Sequence, residues 1–503
     1  MAYYKKSYKK APTEPVEYVP TVLDNPSIQQ MNIKNAVISK IGNLCLRARA
    51  GTGKTTTLMW LLQFIVGTCI YVCFNKRNAE EAKCKVPPNV NATTLHSLGF
   101  KILFTALGKI KCVKRGSDKT YFILENHFPN VPKSAYSAIH KAVAMCKNSL
   151  TIERDTIENT VMEYDLSYEE NGFTSFDFIT AIEGVIEYGK KLTSLIDFED
   201  MLFLPVILNL SFPHYENVLG DEAQDFTNLQ MEFIWRLAEP DGRIIIVGDD
   251  RQSIYGFAGA KKSALNVFTE RLKAIIFPLT LTYRCPKAIV ALASEEVGDY
   301  EAAPGNPEGS ITEANCGEII DMAQEGDLIL SRKNAPIVNL SYKFLAEKKR
   351  AKVLGKDFGD ALMAIVRKYK GHDLDGFKAH LIKWEEKQKK ALTNKFGENA
   401  NFAGIEDKIQ CLFIFVLESH NYDELISSIE NLFSDLANDS TCITLSSVHK
   451  AKGLEYDNVF MLNDTFSRSG DEEERNLWYV AVTRTKKNLI LVNGLPNKKE
   501  EEE

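Results

Sequence analysis

The sequence predicts an α/β fold whose parallel sheets are flanked by helices. Apolar, strand-like runs alternate with amphipathic helical segments along most of the chain, and this alternation is typical of parallel sheets. A glycine-containing turn at 48–57 joins one such run to a helical segment. The composition, 45% hydrophobic and 25% charged residues, is that of a globular protein with a sizeable core. A length of 503 residues suggests about two to four domains.

The predicted strands are separated by two long stretches of helical periodicity. These stretches are 101–195 and 345–437, and each reads as a helical insertion into an α/β lobe. Residues 1–24 read as a flexible arm, and the end of the chain as a short charged tail. The strand-like runs are 43–48, 69–74, 216–221, 243–249, 274–282, 327–332, 442–447, 458–462 and 488–493.

Composition and charge exclude several classes of protein. The longest apolar stretches, such as 58–67, fall short of the about 18 residues that a membrane helix needs. The N-terminus has no apolar signal segment, and the ten cysteines form no CxxC pair, so we expect a cytoplasmic protein with buried, reduced thiols. The net charge of −6 argues against a uniformly basic surface but leaves room for a local basic groove.

The strongest local signal is ARAGTGKTTT at 48–57, which follows a strand and opens a helix. Glycines in such a loop let backbone N–H groups surround phosphate oxygens, and the helix N-terminus favours the anion. Lys54 is placed to reach the β- and γ-phosphates, and Thr55 to ligate Mg²⁺. Ala48 replaces the glycine with which this motif begins. The predicted phosphate loop comprises Ala50, Gly51, Thr52, Gly53, Lys54, Thr55 and Thr56.

A phosphate loop of this kind requires an acidic residue from a neighbouring strand to hold the metal. The segment LGDEAQD at 219–225 ends a predicted strand and supplies two. Asp221 is the expected Mg²⁺ ligand, and Glu222 the expected general base or water-orienting residue.

The order of motifs resembles the UvrD/Rep-type branch of superfamily 1 helicases. The resemblance extends from about residue 25 to 493 as separate blocks in the order of that family. After the phosphate loop and DEAQD, these blocks are VGDDRQSIYGFAGA (247–260), TYRCP (282–286), SSVHKAKGLEYDNVF (446–460) and LWYVAVTRTKKNLIL (477–491).

This resemblance implies two RecA-like P-loop motor lobes, each interrupted by a mainly helical accessory domain. ATP is then expected to bind between the lobes. The expected segments are a first lobe at 25–100 and 196–283 with its insertion at 101–195, a second lobe at 284–344 and 438–495 with a small insertion at 345–437, and a tail at 496–503.

The resemblance also assigns roles around the nucleotide. Arg284 and Arg484 resemble arginine fingers, which in phosphoryl transfer contribute about 10³–10⁵ in rate. Gln252 resembles the residue that senses the γ-phosphate and links it to the DNA site. Tyr283 resembles an adenine-stacking aromatic, although simple packing is the alternative. Gln30 and Glu455 are further expected nucleotide contacts.

The expected nucleic-acid contacts combine polar groups with aromatic stacking platforms. His96 could equally be a satisfied buried histidine. Asp200, in the family-like segment DFEDML (197–202), has either a functional or a purely structural role. The residues that the resemblance assigns to the track are Phe74, Asn75, Lys76, Thr94, His96, Ser97, Tyr255, Phe257, His449 and Lys452.

The function implied is that of an ATP- and Mg²⁺-dependent DNA helicase. Such a motor binds single-stranded DNA and single-strand/duplex junctions, has DNA-stimulated ATPase activity, moves 3′ to 5′ and unwinds duplexes in replication, recombination or repair. Expected partners are replication or recombination proteins at the nucleoid, and a monomer is compatible with the sequence. Two alternatives stay open, a nucleoprotein-remodelling translocase with little unwinding and a motor on RNA.

Overall fold

The structure is a computed structural model in which the chain divides into two compact units. The first unit comprises the residues up to Arg49 together with Gly53–Leu279, and the second comprises Ala50–Thr52 together with the chain from Thr280 onwards. The residues that the structure describes are 18–73, 75–83, 85–113, 117–163, 166, 172–254, 264–396, 402–433, 442–468 and 472–496.

The first unit is organised around a parallel sheet of six strands, counted within the described residues, in the order β3-β2-β6-β7-β1-β8. The short β4 and β5 pair separately. The strands are β1 (Leu44–Ala48), β2 (Cys69–Val72), β3 (Val90–Thr93), β4 (Lys111–Cys112), β5 (Leu195–Ile196), β6 (Tyr215–Gly220), β7 (Ala238–Gly248) and β8 (Ile275–Leu279).

Helices cover both faces of this sheet, which explains why its central strands are apolar throughout. All four residues of β2 are buried. The helices of this unit are α1 (Ile28–Ile38), α2 (Lys54–Leu62), α3 (Lys76–Lys83), α4 (Leu95–Leu107), α5 (Asp118–His127), α6 (Tyr136–Ser149), α7 (Arg154–Glu163), α8 (Ser175–Lys191), α9 (Asp200–Ile207), α10 (Asn228–Leu237) and α11 (Ala264–Leu272).

Alternating residues of the strands send side chains into two different cores. Ile245 and Val247 of β7 pack in the same core as α1 and α2, whereas Ile244 and Ile246 face the opposite core. That second core continues without a break into the helices that connect β3 to β6, where it includes Phe178. The helical region of the first unit is therefore packed onto one face of the sheet.

The second unit repeats the parallel architecture. Its six-stranded sheet, again counted within the described residues, has the order β11-β16-β15-β12-β14-β13 with every pair parallel. The strands of this unit are β9 (Leu281–Thr282), β10 (Glu301–Ala302), β11 (Ser310–Asn315), β12 (Leu328–Ser331), β13 (Ala351–Leu354), β14 (Ile443–Ser447), β15 (Tyr456–Leu462) and β16 (Thr485–Asn493).

Within the described residues, four helices of the second unit lie between β13 and β14 in the chain. They are α15 (Lys356–Val366), α16 (Leu374–Phe396), α17 (Ala403–Leu417) and α18 (Tyr422–Leu432). The remaining helices are α12 (Lys287–Val297), α13 (Ile319–Met322), α14 (Ala335–Ala346), α19 (Val448–Ala451) and α20 (Glu472–Val482).

The predicted α/β fold with two parallel sheets is confirmed. The sequence missed β3, β4, β5, β10, β11 and β13, and helices α4 and α14 continue across the predicted segment ends at 100 and 344. Among the described cysteines, Cys112 is exposed, so the expectation of buried thiols is wrong at that position. No helix in the described part of the chain is long and apolar enough to cross a membrane.

Helix α4 packs closely on the start of α9, and Gly99 makes this approach possible. A methyl group at Gly99 would lie 2.0 Å from the backbone oxygen of Met201, whereas one at Gly404 in α17 would meet nothing within 4 Å. Alanine favours helix over glycine by about 1 kcal/mol. We therefore expect Gly99→Ala to lower the free energy of unfolding by about 1–3 kcal/mol, and Gly404→Ala to raise it slightly. Urea unfolding of both variants measures the two changes in the free energy of unfolding. If Gly99→Ala were as stable as Gly404→Ala, or more stable than the wild type, the close contact between Gly99 and Met201 would be contradicted.

Candidate ATP and nucleic-acid site

The phosphate loop connects β1 to α2 through two glycines in left-handed backbone conformations. Gly51 has φ 69° and Gly53 has φ 74°, values that side chains disfavour. Gly53 is the N-cap of α2 and offers no side chain there. The exposed N–H groups at the start of this helix therefore face outward and are available to an anion. Thr55 and Thr56 are exposed on the first turn.

The acidic pair after β6 lies beside this turn. The Thr55 hydroxyl donates to Asp221 Oδ2 at 3.1 Å, and the Tyr71 hydroxyl donates to the same oxygen at 3.0 Å. Lys54 Nζ lies 3.4 Å from Glu222 Oε2. The residues predicted from the two motifs are thus brought together at the carboxyl ends of β1 and β6.

Burial and neighbouring charges together shift the pKa values of these groups. Burial, followed by the neighbouring Glu222 carboxylate, raises the pKa of Asp221 to about 6, although the Lys54 ammonium opposes the shift. Burial alone would lower the pKa of Lys54, but the carboxylates of Glu222, Asp249 and Asp221 outweigh it and raise that pKa. Three carboxylates thus surround Lys54, and one of them, Asp249, also pairs with Arg49. A further cation beside Asp221 and Glu222 would relieve their mutual repulsion.

A Mg²⁺ ion fits these donors. Thr55 and Asp221 provide a hydroxyl and a carboxylate, hard oxygen ligands of the type that Mg²⁺ takes together with phosphates and water. Within the described residues, no group of three or more His, Cys, Asp or Glu side chains could hold a metal. Phosphate oxygens and water would complete the coordination.

A chain of hydrogen bonds links Glu222 to the segment after β7. Gln224 Nε2 donates to Glu222 Oε2 at 2.6 Å, and Gln224 Oε1 accepts from the backbone N–H of Asp249 at 3.0 Å. Asp249 Oδ2 in turn accepts from Gln252 Nε2 at 2.7 Å. Glu222 itself has φ 54°, a left-handed conformation that is rare for a residue with a side chain. We call these four residues the glutamine relay.

The sequence analysis missed two members of the glutamine relay, Gln224 and Asp249. Asp249 is fully buried, and Arg49 Nη1 lies 3.2 Å from its Oδ1. A signal was available, because an acidic residue that directly follows a strand next to β1 must lie at the same sheet edge as the phosphate loop. The predicted Gln252 is 5% exposed and belongs to the relay.

Gln30 anchors α1 to the phosphate-loop helix. Its side-chain oxygen accepts from the Ser27 N–H at 2.9 Å in a capping box. Its amide nitrogen donates to the Thr57 hydroxyl at 2.9 Å, and the residue is 3% exposed.

The second unit includes the first residues of the phosphate loop. The Ala50 N–H donates to the Tyr479 hydroxyl at 2.9 Å, and the Tyr300 hydroxyl donates to the Ala50 oxygen at 2.8 Å. A methyl group at Gly51 would lie 2.5 Å from Arg284 Cβ, so that only glycine fits there. Thr52 is buried. Neither tyrosine was predicted.

The two arginines expected to act as fingers lie in this unit, together with Glu455. Arg284 pairs with the Glu455 carboxylate. Arg484 is 1% exposed, and it donates to the backbone oxygens of Val480 and Leu454. Burial and the neighbouring Arg284 lower the pKa of Arg484 to about 10, which leaves it a cation at neutral pH.

Three further predicted site residues lie in the second unit. Tyr283 is 47% exposed, and its N–H donates to the Gly51 oxygen. His449 lies in α19 and Lys452 at the C-cap of that helix. Burial lowers the pKa of His449 to about 4, so this imidazole is neutral at physiological pH.

In the first unit, the predicted nucleic-acid residues follow two neighbouring strands. Asn75 accepts from the Asn78 N–H at the start of α3, and Lys76 is an exposed cation near Glu80. The Thr94 side chain caps α4 by accepting from the Ser97 N–H. Because β2 pairs in parallel with β3, Val72 with Thr93, both groups lie at the same edge of the sheet. Phe74, Tyr255 and Phe257 lie outside the described residues.

His96 is stacked on an aromatic residue that the sequence analysis did not assign. The rings of His96 and Phe198 are 3.8 Å apart at an angle of 14°. Phe198 is 55% exposed, which leaves much of its ring surface available. Burial lowers the pKa of His96 to about 4, so the stack is between neutral rings.

Comparisons with known proteins match both halves of the chain. The UvrD/REP helicase N-terminal domain matches residues 30–273, and the UvrD-like helicase C-terminal domain matches residues 443–492. The two matches cover the phosphate loop, the acidic pair and the glutamine relay in the first, and Arg484 in the second.

Several curated proteins are similar to the chain over most of its length. One is the F-box DNA helicase protein 1 of Schizosaccharomyces pombe, 28% identical over 89% of this chain and 55% of that protein. Another is the F-box DNA helicase 1 of Gallus gallus, 25% identical over 93% of this chain and 49% of that protein. A third is a probable DNA helicase II homolog of Mycoplasma pneumoniae, 23% identical over 88% of this chain and 81% of that protein.

The chain spans about half the length of the two F-box proteins. The two domain matches nevertheless agree with each other and with the geometry of the phosphate loop and the acidic pair. The chain therefore belongs to the UvrD/Rep helicase family.

Proposed function

We propose that this chain is an ATP-driven motor that moves 3′ to 5′ along single-stranded DNA and unwinds duplex DNA. The observation that carries the proposal is the convergence of Lys54, Thr55, Asp221 and Glu222, with Glu222 linked to Gln252 through the glutamine relay. A phosphate-binding site alone would serve a nucleotide switch. A motor must in addition change its rate of hydrolysis when it binds DNA. The hydrogen bonds from the proposed catalytic carboxylate of Glu222 to the segment after β7 would provide a route for that change.

In the proposed reaction, the backbone of Ala50–Gly53 and the Lys54 ammonium bind the phosphates of ATP. Thr55 and Asp221 hold Mg²⁺, which supplies charge neutralisation of the phosphates when bound. Glu222 orients the attacking water and accepts its proton. Its Oε2 accepts from Lys54 Nζ at 3.4 Å and from Gln224 Nε2 at 2.6 Å, and these two contacts would hold the carboxylate for this role.

Arg284 and Arg484 are the proposed cations for the charge that develops on the γ-phosphate. Because Arg484 is buried, its attraction to a negative charge on the phosphate would be stronger than in water. Its hydrogen-bond partners Val480 and Leu454 are neutral carbonyl groups, which do not neutralise its positive charge. Glu455, as the partner of Arg284, would hold that side chain in place. Gln30, Thr56 and Tyr283 are the proposed contacts to the base.

The proposed track for single-stranded DNA crosses the ends of β2 and β3. Asn75, Lys76 and Ser97 are exposed polar groups there, suited to phosphate oxygens. The exposed face of Phe198, backed by His96, is suited to stacking on a base. His449 and Lys452 are the contacts proposed for the second unit, and Phe74, Tyr255 and Phe257 remain proposed from the sequence.

Direction and substrate are tested with tailed duplexes. We expect the protein with ATP and Mg²⁺ to separate a duplex that carries a 3′ single-stranded DNA tail, and to leave a duplex with a 5′ tail largely intact. Lys54→Ala is the negative control, because it removes the ammonium from the phosphate loop. Preference for the 5′ tail would contradict the direction. Hydrolysis and displacement of a bound protein without strand separation would favour remodelling, and a preference for RNA tails would favour an RNA motor.

The stacking role of Phe198 is tested by removing its ring. Phe198→Ala is expected to weaken binding of single-stranded DNA by about 1–3 kcal/mol, whereas Phe198→Tyr keeps the aromatic face and most of the affinity. Phe176→Ala removes a comparably exposed ring, 67% exposed on α8, and should leave binding unchanged. Fluorescence anisotropy with a labelled oligonucleotide gives the dissociation constants. Equal affinity of the two alanine variants would show that Phe198 is not a contact.

A further inference from the structure

In the chain, Phe198 lies between two members of a buried cluster of four charged side chains. Lys119, Lys147, Asp197 and Asp200 are 1%, 3%, 2% and 0% exposed, respectively. Lys147 Nζ donates to Asp197 Oδ2 at 2.7 Å and to Asp200 Oδ1 at 2.8 Å. Lys119 Nζ donates to Asp200 Oδ2 at 2.6 Å. We call these four residues the ionic cluster, and its charges sum to zero.

The ionic cluster also fixes the backbone of the turn that carries Phe198. The Asp200 N–H donates to Asp197 Oδ1 at 2.7 Å, and the Asp197 N–H donates to Asp200 Oδ2 at 3.3 Å. Every carboxylate oxygen of the two aspartates therefore has a partner. Between these two buried residues, Phe198 alone is more than half exposed. The turn therefore presents one ring to solvent, while the aspartates on either side of it are fully hydrogen-bonded.

The lysines of the ionic cluster come from the helical region between β3 and β6. Lys119 is in the first turn of α5 and Lys147 in the last turn of α6. Lys119 also donates to the backbone oxygen of Gly189 in α8 at 2.9 Å. Three helices of this region thus hold a single turn at the start of α9.

Stability alone does not account for such a cluster. Removing four charges from water is costly, and apolar replacements of buried ion pairs are often neutral or stabilising. What the ionic cluster does provide is one defined geometry for residues 197–200. That geometry places the Phe198 ring nearly parallel to His96, which is itself in α4.

We propose that Lys119 and Lys147 are positioning residues for nucleic-acid binding, which act by holding the 197–200 turn so that Phe198 stays stacked on His96 with its free face towards a base. This inference rests on the proposed function, since it takes Phe198 as the base contact. It gives the helical region of the first unit a role in binding, although neither lysine reaches the surface.

The first experiment compares two substitutions on the same helix. Lys147→Met removes the ammonium from the ionic cluster, and Lys141→Met makes the same change at an exposed position of α6. We expect Lys147→Met to weaken binding of a labelled single-stranded oligonucleotide at least about fivefold, the effect of losing a well-placed base stack. Lys141→Met should bind like the wild type. Unchanged affinity for Lys147→Met, with Phe198→Ala impaired, would overturn the positioning role.

A double-substitution cycle separates a positioning effect from general destabilisation. If Lys147 acts through Phe198, Lys147→Met should cost no further affinity in a Phe198→Ala background. Additive losses would overturn the proposal. If Phe198→Ala alone binds normally, the base contact in the proposed function fails instead, so the two failures are distinguishable.

NMR of the histidine side chains gives a readout at the stack itself. In the wild type His96 should titrate at about 4, and release of the Phe198 ring should move its pKa upwards towards the ordinary 6.5. A low pKa retained in Lys147→Met would contradict the proposal. Should that variant fail to fold, Asp197→Asn serves in its place, because the amide keeps an oxygen for the Asp200 N–H while its charge towards Lys147 is lost. For that variant too, a raised pKa of His96 is expected, and a retained low pKa would contradict the proposal.

Discussion

The candidate site depends on one constraint, the parallel pairing of five neighbouring strands in the first unit. The order β3-β2-β6-β7-β1 places the carboxyl ends of all five strands at one edge of the sheet. Along that edge follow the Thr94 cap, Asn75, the acidic pair, Asp249 and the phosphate loop. Residues far apart in the chain become neighbours because the strands that precede them are hydrogen-bonded in register. Loss of that register would separate the phosphate loop, the acidic pair and the proposed nucleic-acid contacts at once.

The glutamine relay turns this adjacency into a physical connection. Gln224 donates to the Glu222 carboxylate and accepts from the backbone of Asp249, so a shift of the segment after β7 must alter the position of that carboxylate or break a buried hydrogen bond. Leaving a buried polar group without a partner costs about 1–3 kcal/mol. Gly248 supports the contact, because a methyl group there would lie 2.7 Å from Gln224 Oε1.

The fold and the convergence of the phosphate loop with the acidic pair could be predicted from the sequence because their signals are local. Apolar runs marked most strands of both sheets, and the phosphate loop and DEAQD carry fixed spacings. Strands β3 and β11 were missed because their exposed residues dilute the apolar pattern. The contacts of Gln224, Phe198 and Tyr479 depend on packing between distant segments, and no spacing in one sequence encodes them. The ionic cluster was hidden for the same reason, since buried lysines look like surface residues in a sequence.

We propose that the glutamine relay couples hydrolysis at Glu222 to binding of single-stranded DNA. The most direct measurement is the ratio of ATPase rates with and without a saturating oligonucleotide, in the wild type and in Gln224→Leu, with Gln388→Leu on α16 as the control. We expect a ratio well above one for the wild type and the control, and a ratio lower by about two- to thirtyfold in Gln224→Leu. The same ratio in all three proteins would contradict the claim.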